Sequence, residues 1–119
     1  MSDLERVVQV RNTLLSLRSL KEDVEMLASS MAQLEVVAPD ISRRKEEAER
    51  NLKTLRLRLP EEVCAAIKVA DKLPRVERKV IYLYYVAGKS LNQVAQEMHY
   101  TKRTVQRMKA EALKKLREG

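Results

Sequence analysis

"GKSLNQVAQEMHYTKRTVQRMKAEALKKL", residues 88–116, is the stretch that decides the architecture. Gly88 is the residue best able to take a left-handed cap at the end of a preceding helix. Ser90 can then cap the next helix, and Gln93, three residues on, completes a capping-box pattern. Leu91, Val94, Ala95 and Met98 fall on one face of that short helix, which stops at His99-Tyr100. Thr101 caps a second, longer helix with Val105, Met108, Ala112, Leu113 and Leu116 on its inner face. A short helix, a turn of about three residues and a longer helix form the helix-turn-helix pattern. Ala95 is small where the two helices would cross closely.

The second helix carries its charge in an unusual place. Lys102 and Arg103 stand in its first turn, where the helix dipole disfavours cations by about 0.3–1 kcal/mol each at exposed sites. From Met98 to Arg117 there are seven Lys/Arg and a single acid, Glu111. On a helical wheel anchored at Val105, residues Arg103, Arg107, Ala110 and Lys114 lie opposite the inner face, with Gln106 beside them. Arg pairs with guanine edges and Gln with adenine edges in the major groove. Recognition helices of this motif present their N-terminal residues to the bases, and neutralising phosphates more than returns the dipole cost. The alternative is a solvated amphipathic helix with surplus Lys and Arg.

The rest of the 119-residue chain fits the same picture. Aromatics are limited to four Tyr, and Gly and Pro number two and three, as in an all-helical chain. Residues 1–59 hold 11 Lys/Arg against 10 Asp/Glu, whereas residues 60–119 hold 13 against 7. That asymmetry points to a polyanion facing only the second half. Cys64 is alone, so no intramolecular disulfide forms, and it reads as a small buried hydrophobe. The N-terminus lacks a signal-peptide pattern and no apolar run approaches a membrane span, so a cytoplasmic protein without a membrane partner is expected. No metal cluster, phosphate-cradling Gly loop or nucleophile–base pair is present, so neither an enzyme nor a cofactor is expected.

Residues 4–37 read as one long helix with a seam of Val7, Val10, Leu14 and Leu17, then Leu20, Val24, Leu27, Met31 and Leu34, interrupted by a stammer between Leu17 and Leu20. At about 50 Å it is too long for a compact domain and needs a partner along its length. Ala38-Pro39-Asp40 breaks the pattern, and Ile41–Leu59 resumes it with Ala48, Leu52, Leu55 and Leu59. Two such helices on a short connection predict an antiparallel, coiled-coil-like hairpin over 1–59. The second helix leaves part of the first one's seam uncovered, which points to a homodimer through the N-terminal helices. Pro60 is expected to start a separate helix with Val63, Ala66, Ile67 and Ala70 inward. Leu73-Pro74 punctuates again, and Val76–Ala87 forms the helix before Gly88, with Val80, Ile81, Leu83 and Tyr84 inward. The expected domains are thus 1–59, a hairpin for oligomerisation or partner binding, and 60–119, the DNA-binding unit.

The stretch from Leu73 to Glu118 resembles region 4 of bacterial sigma-70 factors, which reads the −35 promoter element and touches the RNA polymerase flap. The matching pieces are ER-K-V-I-x-L (Glu77–Leu83), G-K-S-L-x-x-V-A (Gly88–Ala95), T-x-x-T-V (Thr101–Val105) and A-L-K-K-L (Ala112–Leu116). The whole chain is similar to small sigma-like regulators encoded by phages and prophages of Gram-positive bacteria, activators of late packaging and lysis genes. The resemblance implies that Lys102, Arg103, Gln106 and Arg107 meet bases or the backbone. It places Lys89, Ser90 and Leu91 near a phosphate at a helix N-terminus. Thr101, Thr104 and Lys114 are expected as further backbone contacts on the DNA-binding reading, and Lys115 as a source of general affinity. Double-stranded DNA and RNA polymerase are the implied partners. His99 stands where the family usually has Gly, and His tolerates positive φ with mild strain. Residues 1–72 have no counterpart of the region that melts the −10 element, so promoter opening by this chain alone is not expected. Two other readings remain: a small terminase-like DNA-packaging subunit, and a sigma-mimicking module that binds polymerase without DNA.

Overall fold

The computed structural model describes residues 2–34 and 39–118. Their order is α1 (Asp3–Leu34), α2 (Pro39–Ala70), α3 (Arg75–Ile81), a π-helical turn (Tyr82–Val86), α4 (Leu91–Met98) and α5 (Lys102–Glu118). The expected all-α architecture, hairpin then helix-turn-helix, is what the chain adopts. The break expected at 38–40 lies partly outside the described residues, and α2 begins at Pro39.

One boundary differs. Pro60 lies inside α2 instead of opening a new helix. An internal Pro removes one backbone donor and crowds the carbonyl four residues back, at about 3 kcal/mol. What carries the helix through is an unbroken seam. Ala48, Leu52, Leu55, Leu59, Glu62, Ala66 and Val69 recur at alternating spacings of four and three, all buried or half-buried, while Pro60 itself is exposed. Glu62 hides this continuity from a hydrophobic count. The same phase explains why Cys64 and Ile67, both expected inside, are exposed: they lie off the seam.

The chain forms two compact units, Thr13–Leu59 and a discontinuous one of Met1–Asn12 with Pro60–Gly119. The division therefore departs from 1–59 and 60–119 in giving the first turns of α1 to the C-terminal unit. In the Thr13–Leu59 unit, Ser16, Ser19 and Leu20 of α1 face Asn51, Thr54, Leu55 and Arg58 of α2 across a groove, the antiparallel register of a hairpin. Leu14, Leu17, Leu20, Val24, Leu27 and Met31 of the α1 seam are half-buried there.

In the other unit, Val7 and Val10 are fully buried, as are Val80, Ile81, Val94 and Val105. Val80, Val94, Ala95 and Val105 form one cluster, surrounded by Leu83, Tyr84, Leu91, Met98 and Met108, so that α3, α4 and α5 share a core. Burying a Val side chain contributes about 1.5–3 kcal/mol relative to exposure, so this cluster is what fixes α5 to its scaffold. The π turn was not foreseen. It buries Tyr85 and leaves Tyr84 half-buried, with the two rings edge to face at 4.8 Å. Burial pushes the Tyr85 phenol up to about 12. Tyr82 donates to Asp71 Oδ1 at 2.6 Å, and this hydrogen bond holds its phenol above the usual range.

Candidate nucleic-acid interface

Three local devices set the angle of α5. Gly88 takes φ 71°, ending the helix-plus-π segment in the left-handed region, and no side chain stands in the way. Ser90 then caps α4: its Oγ accepts from the Gln93 N–H at 3.2 Å while the Gln93 Oε1 accepts from the Ser90 N–H at 2.9 Å. This is the reciprocal capping box that the spacing predicts. His99 closes α4 at φ 59°, ψ 36°, with the Tyr100 N–H reaching the Ala95 carbonyl at 3.0 Å. The inter-helix turn thus keeps its left-handed geometry with His in place of Gly. Thr101 accepts the Thr104 N–H at 3.2 Å and starts α5.

Beyond that cap, α5 sorts its cations into two groups. Lys109 lies over the Tyr84 ring at 4.3 Å, and Lys115 meets both carboxylate oxygens of Glu77 at 2.9 Å, joining α5 to α3. Among the described residues, Lys102, Arg103, Arg107, Lys114 and Arg117 have no such partner, and all are exposed, as is Gln106. Arg103, Thr104 and Arg107 line a shallow hollow on this face. No acid stands in the first turn of α5 to offset Lys102 and Arg103. Ala110 is exposed in line with them, which keeps the face low.

The nominated backbone contacts are less uniform. Ser90 and Thr101 are exposed and Leu91 and Thr104 half-buried. The Ser90 Oγ is engaged in its cap, and the Thr101 and Thr104 hydroxyls hydrogen-bond each other at 2.9 Å. Lys89 forms an ion pair with Glu97 of α4, so its charge is partly spent inside the chain. Lys115 differs from the general-affinity role expected of it for the same reason. Sequence gave no warning of either pair, because Lys89 and Glu97 are eight residues apart and Glu77 and Lys115 thirty-eight.

Two further cations belong beside this face. Arg75 and Lys79 of α3 are exposed and, among the described residues, unpaired; together with Val76, Glu97, Met98, His99 and Tyr100 they line a hollow beside the turn that precedes α5. Their i, i+4 spacing puts both on one side of α3, a signal readable from the sequence but ambiguous without knowing which side meets the turn. Among the described residues, no group of His, Cys, Asp and Glu is arranged to hold a metal ion, and no helix is long and apolar enough to cross a membrane.

The helix pair, its caps and the placement of α5 are those of a helix-turn-helix. The family model for sigma-70, region 4 matches residues 69–118, from the last turn of α2 through the end of α5. No curated protein and no solved structure matches the chain. Residues 69–118 thus match sigma-70 region 4 in sequence and take the helix-turn-helix fold.

Proposed function

We propose that this chain is a sequence-specific, double-stranded-DNA-binding transcriptional regulator of phage or prophage origin that acts with RNA polymerase. The observation that carries the reading is the unpaired state of Lys102, Arg103, Arg107 and Lys114 on one exposed face of α5, beside internal cations that are neutralised or stacked. Two of the four stand at the positive end of the helix dipole, an arrangement a purely structural helix gains nothing from. With α5 in the major groove, Arg103, Gln106 and Arg107 read base edges and Lys102 reaches bases or phosphates. Lys114, Thr101, Thr104 and the α4 N-terminus at Ser90 and Leu91 set the register on the backbone, and Arg75 and Lys79 extend the same basic rim.

The test is binding of Arg103→Ala and Arg107→Ala to duplexes that differ at single base pairs. Each change removes discrimination worth about 1–3 kcal/mol at one position of the site. Equal losses on every duplex would overturn the base-reading assignment.

A second reading, a module that occupies polymerase without DNA, draws on a different surface. Ile67, Tyr82, Leu83, Val86 and Ala87 line an almost wholly apolar hollow in the C-terminal unit. Tight polymerase binding with no duplex binding at low salt selects that reading. In the hairpin, Leu15, Met26 and Leu57 are 47%, 63% and 72% exposed, which supports self-association there. Sedimentation of the full chain as a monomer at micromolar concentration would count against a dimer.

A further inference from the structure

We propose that Arg11, in the third turn of α1, is a positioning residue of the helix-turn-helix, so that the DNA-binding unit is incomplete without the start of the chain. This rests on the DNA-binding reading above and adds a residue outside the family match.

At the end of the π turn, the Ala87 N–H goes to the Tyr82 carbonyl at 2.8 Å and the Lys89 N–H to the Leu83 carbonyl at 3.0 Å. Neither reaches the Tyr84 carbonyl, and a part-buried carbonyl without a donor is costly. Arg11 Nη1 supplies the donor at 2.7 Å, from 73 residues away in sequence, and lies 3.4 Å from the Lys89 carbonyl. The same guanidinium stacks over the Tyr84 ring, 3.8 Å from its centroid. Only a planar fork can donate to carbonyls at its edge while its face lies on an aromatic ring.

Each group Arg11 touches leads to a DNA-facing helix. Lys89 is the residue before the Ser90 cap of α4, and its side chain pairs with Glu97 of the same helix. Tyr84 packs against the shared core cluster and carries Lys109 of α5 on its ring. Arg11 therefore fixes the peptide from which α4 departs and the ring on which α5 rests.

The test uses the full chain as wild type, Arg11→Ala, Arg11→Lys, Tyr84→Leu and the Arg11→Ala/Tyr84→Leu double variant, each verified as helical. Amide hydrogen exchange across 84–94 is compared with the ratio of affinities for a selected duplex and a scrambled one. In Arg11→Ala, exchange there quickens and the affinity ratio falls, each by about tenfold, the worth of one hydrogen bond to a charged group. Affinity for the scrambled duplex at low salt stays within about twofold, since the α5 cations are untouched. Arg11→Lys recovers part of both effects, and the double variant is no worse than the poorer single one. Unchanged exchange overturns the proposal, as does an equal loss on both duplexes or strict additivity in the double variant. If the wild type selects no sequence, the DNA-binding reading fails, while the exchange comparison still decides whether Arg11 holds the junction.

Discussion

Lys114 and Lys115 are neighbours with opposite fates, and replacing each by Met separates folding from binding. Met keeps the apolar stem of the side chain and removes only the charge. Lys115 meets both oxygens of Glu77 at 2.9 Å, with side chains 45% and 16% exposed. An ion pair this open to solvent on one side contributes about 0.5–1 kcal/mol after screening. For a chain of this size that corresponds to a fall of roughly 2–5 °C in Tm, shrinking as salt is raised. Lys114 is exposed and unpaired, so Lys114→Met leaves Tm within about 1 °C. Binding shows the reverse. The slope of log affinity against log salt becomes shallower by about 0.9 in Lys114→Met, the value of one phosphate contact, and is unchanged in Lys115→Met. Thermal melts followed by circular dichroism, with anisotropy titrations between about 50 and 200 mM salt, read both quantities. A salt slope that changes equally in both variants, or a Tm that falls in Lys114→Met alone, would refute this division of the α5 cations.

Other consequences follow from the caps and the core. Ser90→Ala removes the hydroxyl half of the capping box and costs about 0.5–2 kcal/mol in urea unfolding; no change would mean that α4 starts elsewhere. His99→Gly relieves a non-glycine residue held at φ 59° and raises stability by about 0.5–1 kcal/mol, whereas Gly88→Ala at φ 71° lowers it by about 1–2 kcal/mol. The opposite signs of those two changes are the check. The Tyr85 phenol is raised from 10.0 to about 12 by burial, so the folded chain holds that proton more tightly than the unfolded one. The stability it contributes is intact below pH 10 and is lost as pH climbs towards 12. Urea midpoints should therefore fall less steeply over that range in Tyr85→Phe than in the wild type, and parallel curves would contradict the burial.

How much of this was legible in the sequence depended on how local each determinant is. Gly88, the Ser90–Gln93 box and the tolerance of His99 for positive φ are settled within a few residues, the inner face of α5 repeats at local helical spacing, and each is present as read. The hairpin was legible through the spacing of Leu, Val and Ala. Pro60 misleads because propensity and a local stop signal oppose a seam whose continuity runs through a buried glutamate, Glu62. The π turn at Tyr82–Val86 has no sequence signature of its own and becomes intelligible only once the Tyr84 carbonyl is seen to be met by Arg11. Long-range pairing also decided the site. All seven α5 cations look alike in sequence, and only the positions of Glu77 and Tyr84 show that Lys115 and Lys109 are engaged inside the protein. The resemblance puts Lys89 near a phosphate, and its ion pair with Glu97 occupies part of that charge.

The central claim is that the face of α5 bearing Lys102, Arg103, Gln106 and Arg107 reads duplex sequence. The most direct measurement is selection from random duplex DNA with the full chain at near-physiological salt, repeated with Arg103→Ala. An enriched motif is expected for the wild type, and relaxed preference at one or two positions of that same motif for the variant. Salt-sensitive binding with no enriched motif would contradict it, leaving the basic half of the chain to supply backbone affinity alone.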